Sequence, residues 1–311
     1  MEIISNLENL RHKKNCVITT GTFDGIHLGH QTIINKLHDT AVKTKACSTV
    51  VTFEPHPQFV LKQNKETELK LLTTLKEKIS IFENFQIDRL VILPFTKELS
   101  NLISEEFIEN ILVKKIGFSA IIFGYDHAFG KDRSGNIEVL KKLGKRYNYS
   151  IIQMTPFSIG DTIISSTKIR WLISSGNVTL AAKYLGRKYK LTGKVIKGEG
   201  RGKIFSTPTA NISPLSDKKL IPQNGIYAGW VKFKNKKYKT VIYIGDKPTF
   251  SSKNFSIELY LFNFVGNLYD KLLDVEFAAR IRNDIKFDNA EKLYEQIEFD
   301  KKKTLEILSN N

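Results

Sequence analysis

The stretch at residues 17–30, VITTGTFDGIHLGH, constrains the fold of this chain more than any other. β-Branched residues open it, Gly21, Asp24 and Gly25 turn it, and the helical pattern QTIINKLHDTAVK follows directly. That order predicts a strand, a tight glycine loop and the start of a helix. Backbone N–H groups in a helix's first turn lack intrahelical partners and sit at the positive end of its dipole, so such a junction attracts phosphate. His27 and His30 add donors at the same spot. Alone, H-x-G-H reads equally well as a βα turn with two incidental surface histidines; the longer string is more specific.

After this loop, short apolar runs alternate with helical periodicity. Strands are expected at 48–53, 89–93, 120–123 and 150–154, and helices at 75–85, 105–113 and 137–147. This alternation predicts a Rossmann-like α/β domain, a parallel sheet wound with helices on both faces, with ligands beyond the carboxyl ends of its strands. Three further motifs fall near such ends. TFEPHP (52–57) holds His56 and Glu54 on a proline-stiffened backbone; the alternative is a rigid connection with a solvent-facing histidine. FGYDHAFGKDRSG (123–135) offers glycines at 124, 130 and 135 for close approach to a ligand, and Asp126 as an acceptor for a ribose hydroxyl or amino group. ISSTKIRWLISSGNV (164–178) gathers the Ser165, Ser166 and Thr167 hydroxyls, a helix start and the Arg170 guanidinium, which suits a second phosphate site as well as a capped structural helix.

Helical patterning stops at GRKYK, and from Leu191 the chain reads as closely spaced strands with turn signals. A small antiparallel β-barrel followed by a C-terminal helix at 290–308 is predicted, dividing the chain into domains 1–186 and 187–311. Here GKVIKGEGRGKIFSTPTANI (193–212) places Gly198, Gly200 and Gly202 among Lys197, Arg201 and Lys203, a basic cradle for a nucleotide phosphate or simply a mobile hairpin. Thr209 and Asn211 add hard oxygen donors of the kind Mg²⁺ accepts. In SIELYLF, Ile257, Leu259 and Leu261 share one face, which leaves Glu258 on the other as a solvent-facing carboxylate by pattern alone.

A length of 311 residues allows two cores, and 41% hydrophobic with 26% charged residues describes an ordinary soluble protein. No secretory signal or membrane span is legible, so a cytoplasmic location is expected. Cys16 and Cys47 lie in apolar runs and read as reduced thiols. The net charge of +16 comes from scattered lysines without a nucleic-acid signature, so it reads as a solvated surface that attracts polyphosphates rather than a nucleic-acid face. The sequence leaves oligomeric state open.

G-T-F-D-G-I-H-L-G-H resembles the nucleotidyltransferase signature of bacterial bifunctional riboflavin kinase/FAD synthetases, and the likeness extends over nearly the whole chain. It takes in G-x-D-x-x-F-G-x-x-R-x-G from Gly124, S-S-T-x-I-R from Ser165, and the glycine loop with P-T-A-N at 208–211. The resemblance implies riboflavin, FMN and ATP as substrates and Mg²⁺ as cofactor. Gly21, Phe23, Asp24, Gly29, Ser165, Ser166 and Thr167 would then meet ATP, while His56, Gly124, Asp126 and Phe129 serve the flavin or nucleotide. His27, His30 and Arg170 would act as donors while the FMN phosphate attacks the α-phosphorus of ATP. Zinc ligation by the histidines lacks a third ligand in the motif, and an ionised FMN phosphate needs little base. In the kinase half the resemblance implies ATP at Gly198, Gly200, Arg201, Gly202 and Lys203, Mg²⁺ at Thr209 and Asn211, and Glu258 as general base. The chain departs from the family at Ser206, Thr207 and Tyr243, where most members carry G-F and the asparagine of N-I-G. Two alternatives therefore stand beside the bifunctional reading: an adenylyltransferase with a degenerate flavin-binding barrel, and a flavin-responsive regulatory or nucleic-acid-binding paralogue.

Overall fold

A computed structural model describes residues 1–6, 8, 10–61, 69–125, 130–131, 135–198, 209–249 and 252–309, with only the backbone for 247–249 and 252–254. Asp126, Phe129, Gly200, Arg201, Gly202, Lys203, Ser206 and Thr207 lie outside the described residues. Contacts divide the chain into two units, Met1–Ser165 and Ser166–Asn311.

In the first unit, β1 (Glu2–Ile4), β2 (Cys16–Thr20), β3 (Cys47–Glu54), β4 (Arg89–Pro94), β5 (Ala120–Phe123) and β6 (Ser150–Gln153) form one parallel sheet. Its order is β1-β4-β3-β2-β5-β6. Alternate residues feed two cores: Ile18, Val51, Val91 and Ile121 face one way, and Val17, Val50, Leu90 and Ile122 the other. Burial on both faces explains why the strands read as continuous apolar runs. The three-residue edge strand β1 was not legible, because only its pairing with β4 defines it.

The helices are α1 (Leu28–Lys43), α2 (Pro57–Leu61), α3 (Leu75–Phe82), α4 (Lys97–Asn101), α5 (Ser104–Glu106) and α6 (Ile137–Tyr147). The predicted helix at 105–113 departs from α geometry: α5 runs on as a π-helix, Phe107–Ile116. It closes with the Gly117 N–H donating to the Leu112 carbonyl at 2.8 Å. A hairpin, β7 (Ser158–Ile159) and β8 (Thr162–Ile163), ends the unit.

The second unit opens with α7 (Ser166–Ser174) and α8 (Val178–Leu185). Six antiparallel strands follow: β9 (Tyr189–Ile196), β10 (Ala210–Pro214), β11 (Gly225–Phe233), β12 (Lys236–Thr249), β13 (Ser252–Leu261) and β14 (Leu272–Arg282). They close as a barrel in the order β10-β13-β12-β11-β14-β9 around a core that includes Leu191, Val231, Ile242, Leu259 and Phe277. The sequence assigns 166–185 to the first domain, whereas by contacts both helices group with the barrel. Thr179 Oγ1 donates to the Ala278 carbonyl at 3.1 Å, and Arg280 spans from the Ser175 carbonyl to Gln223 Oε1. Helical periodicity shows that a helix has a buried face but not which sheet that face covers.

The final helix, α9 (Ala290–Ser309), is tied to β14 by Arg282 and Asp300. Arg282 Nη2 and Nε both reach the Asp300 carboxylate, at 2.7 and 3.0 Å, and Gln296 adds a third donor. Asp300 opens the charged run DKKK, yet it is buried.

Candidate active sites

The sheet order places the switch point at β2, flanked by β3 and β5. Ligands of open parallel sheets gather at such a crevice. The ends of β2 and β5, one followed by the 21–27 loop and the other by Gly124, are neighbours there.

The first of these carries His27 and His30. His27 is the N-cap of α1, and its Nδ1 accepts the His30 backbone N–H at 3.3 Å. An Nδ1 that accepts leaves the ring proton of a neutral imidazole on Nε2, as a donor. The two rings stack, with centroids 3.7 Å apart and planes 18° from parallel. Gly29 keeps this packing close: a Cβ there would stand 3.3 Å from the His27 ring, which would have to give by a few tenths of an ångström. The edge of Phe23 meets His30 at 5.2 Å and Phe82 of α3 at 5.7 Å.

The loop is held in unusual backbone conformations, with φ of +48° at Phe23, +83° at Gly25 and +38° at Ile26. Asp24 is 1% exposed, and its carboxylate accepts the Leu72 N–H at 3.0 Å and the Thr73 N–H at 2.9 Å. The Thr73 hydroxyl donates to Asp24 and accepts the Gly25 N–H. Asp24, expected among the groups that meet ATP, is thus engaged in bracing the loop. A residue that sequence reasoning missed completes the brace: Lys78 of α3 is 3% exposed and donates from Nζ to the Thr22 carbonyl at 2.9 Å. Burial pushes its ammonium pKa down, while Asp24 and Glu54 pull it back up. The legible signal was the capping box of Thr74 and Glu77, which sets the start of α3 and so the face that carries Lys78.

His56 stands at the end of β3, buried rather than solvent-facing as the alternative supposed. Its Nδ1 accepts the Gln58 N–H at 3.2 Å, and its ring meets Phe59. Gly124 follows β5 directly. Gly130, read as room for a ligand, is required by the protein itself: at φ +73°, a Cβ would lie 2.7 Å from the Ser104 backbone. Ser166, Thr167 and Arg170 lie at the start of α7, with Ser165 just before it.

On the barrel, the strand register lines up Asn211 of β10, Glu258 of β13 and Tyr243 of β12, each directly opposite the next. Their neighbours Ile212, Ile257, Leu259, Ile242 and Ile244 fill the core, so the three alternate onto the outer face and are half-buried. Thr209 donates to Glu258 Oε2 at 2.8 Å. Gly198 packs its Cα against the Asn211 carboxamide, where a Cβ would collide. Tyr243 donates to Asp284 Oδ2 at 3.2 Å, and desolvation followed by Asp284 raises its phenol pKa. Gly245 makes room for that hydroxyl. Asp284 was not legible in the sequence as part of this row.

The first unit is a nucleotidyltransferase-type domain, defined by its switch-point loop and histidine-capped helix. The second is a riboflavin kinase-type barrel, defined by its closure and the row of oxygen donors on its outer face. A family model for FAD synthetase matches residues 9–168, and one for riboflavin kinase matches 185–308. The chain belongs to the bifunctional riboflavin kinase/FMN adenylyltransferase family. A relative of that name from Buchnera aphidicola subsp. Schizaphis graminum is 38% identical, over 96% of each chain. One from Haemophilus influenzae is 32% identical, over 96% of this chain and 97% of the relative. A solved structure from Streptococcus pneumoniae, described as a macrolide-efflux protein, shares the fold at a TM-score of 0.88, with 29% identity over 97% of each chain. No helix among the described residues is long and apolar enough to cross a membrane.

Proposed function

We propose that this chain phosphorylates riboflavin to FMN on the barrel and adenylylates FMN to FAD in the parallel-sheet domain, using ATP twice. The observation that carries this reading is the pair of preorganised constellations in one chain: the stacked His27 and His30 at the start of α1, and the Thr209, Asn211 and Glu258 row on the barrel.

In adenylyl transfer, an FMN phosphate oxygen attacks the α-phosphorus and pyrophosphate leaves in line. The protein positions the reactants and stabilises charge. His27 donates from Nε2, since its Nδ1 is occupied by the cap, and His30 follows one turn along. Ser165, Ser166, Thr167 and Arg170 are assigned as donors to the polyphosphate in the same reaction, on the chemistry of their hydroxyls and guanidinium. On function we divide the chain at 186/187, supported by the change from helical to strand patterning.

In the kinase reaction Glu258 accepts the proton of the riboflavin 5′-hydroxyl as that oxygen attacks the γ-phosphorus. Thr209 orients the carboxylate by its hydrogen bond. A hydroxyl, a carboxamide oxygen and a nearby carboxylate form a hard donor set that fits Mg²⁺, with Thr209 and Asn211 as its holders. When bound, Mg²⁺ neutralises phosphate charge. The two free thiols, Cys16 and Cys47, support a reducing compartment, the cytoplasm.

One observation favours a second reading, an adenylyltransferase with a weakened kinase: Tyr243 sets a phenol opposite Glu258, where most members carry asparagine. The test is a time course with riboflavin, ATP and Mg²⁺ that separates riboflavin, FMN and FAD, repeated from FMN. FMN followed by FAD supports both activities. FAD from FMN alone supports the second reading, and Y243N is then expected to restore phosphorylation. No product from either substrate favours the regulatory paralogue.

A further inference from the structure

We propose that Lys78 is a positioning residue for adenylyl transfer, holding the 22–26 loop in the shape that presents His27 and His30. The inference rests on the adenylyltransferase reading of that loop and adds a residue outside its motifs.

A lysine that is 3% exposed is rare, because an ammonium loses its hydration on burial unless it is paired. Lys78 has a specific task there. Its Nζ donates to the Thr22 carbonyl at 2.9 Å, and Thr52 Oγ1 donates to the same oxygen at 3.2 Å. The next residue, Phe23, is non-glycine at φ +48°, and Ile26 is another at +38°. Each such conformation is unfavourable for an L side chain and persists only where the surroundings impose it.

Apart from Thr52, these surroundings come from one short segment. Leu72 and Thr73 clasp Asp24, Lys78 clasps Thr22, and Phe82 packs on Phe23 between them. Phe23 in turn lies edge-on to His30. The lead-in to α3 and α3 itself therefore grip three consecutive loop residues, and the ring of the middle one touches the histidine pair.

Charge gives a second reason for lysine at this position. The carboxylates that bear on its ammonium are Asp24 and Glu54. A neutral side chain would remove the positive charge on which both carboxylates bear, beside the loop assigned to the polyphosphate.

The experiment compares K78M and K78R with wild type in the full chain. FAD formation from FMN is measured as kcat and KM, riboflavin phosphorylation serves as an internal control, and thermal unfolding reports the folded fraction. K78M is expected to lower kcat for FAD formation by about tenfold or more, as misplacement of a reacting group does, with phosphorylation unchanged. K78R, which keeps the charge, is expected to recover part of the loss. If K78M fails to fold, T52V removes the other donor to the Thr22 carbonyl and should lower the rate by about fivefold, the worth of one neutral hydrogen bond. A folded K78M or T52V with wild-type kcat overturns the proposal, as does a loss that tracks only the unfolded fraction. Wild-type chain that makes no FAD from FMN overturns the adenylyltransferase reading itself.

Discussion

The imidazoles of His27 and His30 lie face to face, 3.7 Å between centroids, and the backbone N–H of His30 donates to His27 Nδ1. The helix cap and the stacked histidine pair are thus one structure. His27 serves with Nδ1 as the N-cap of α1, so the proton of its neutral ring lies on Nε2. The cap uses only the backbone of His30, so the His30 side chain can be removed without loss of that bond.

H30A is therefore expected to leave the fold intact and to lower FAD formation from FMN by about 10²-fold or more, the usual loss for one preorganised donor. FMN formation from riboflavin should be unaffected. Product chromatography from each substrate checks this, and an unchanged FAD rate removes His30 from the mechanism.

The converse variant is E258Q. A glutamine oxygen still accepts the Thr209 hydroxyl, so the row on the barrel keeps its geometry, but a carboxamide accepts no proton at neutral pH. Phosphorylation of riboflavin should be lost while adenylylation of supplied FMN continues. An active kinase in E258Q would rule out Glu258 as the base.

D300A tests what secures α9. The Asp300 side chain is only 4% exposed, and its carboxylate is held by two Arg282 nitrogens and by Gln296. Removing it leaves a guanidinium half-buried without its partner, a loss of about 3 kcal/mol for a buried pair. Denaturant unfolding followed by far-UV circular dichroism should show that destabilisation; a shift below about 1 kcal/mol would mean the pair behaves as an exposed one.

The two thiols should differ in reactivity. Cys16 and Cys47 are opposite one another in β2 and β3, and their proximity favours the thiolate at Cys47, which is half-buried, over that at Cys16, which is fully buried. The Arg89 guanidinium also favours the thiolate at Cys47. A lowered pKa means that the thiolate persists to lower pH than in an ordinary cysteine. Alkylation mapped by peptide mass spectrometry is expected at Cys47 first and below pH 8, with Cys16, fully buried, unmodified in the folded protein. Equal labelling of both at the pH of a free thiol would contradict the assignment.

Most of the elements were legible because their signals are local. Apolar runs, a cap before a periodic segment and a glycine at a turn act within a few residues of themselves. The π-helix at Phe107–Ile116 escaped this reading, since its buried residues, Phe107, Ile108, Ile111, Leu112 and Ile116, fit the spacing of an α-helix as well. Gly130 was legible as a special backbone position, but its crowding partner, Ser104, lies on a different element.

By itself the sequence determined the parallel-sheet and barrel classes, the histidine-bearing helix start and the hydroxyl, amide and carboxylate groups available to the barrel. Tertiary structure alone decided that Lys78 is buried against Thr22, that Asp24 braces a loop, that 166–185 groups with the barrel, and that Tyr243 and Asn211 flank Glu258. These juxtapose residues far apart in the chain. Strand order and register set them, and both depend on how whole faces pack together rather than on any local run of residues.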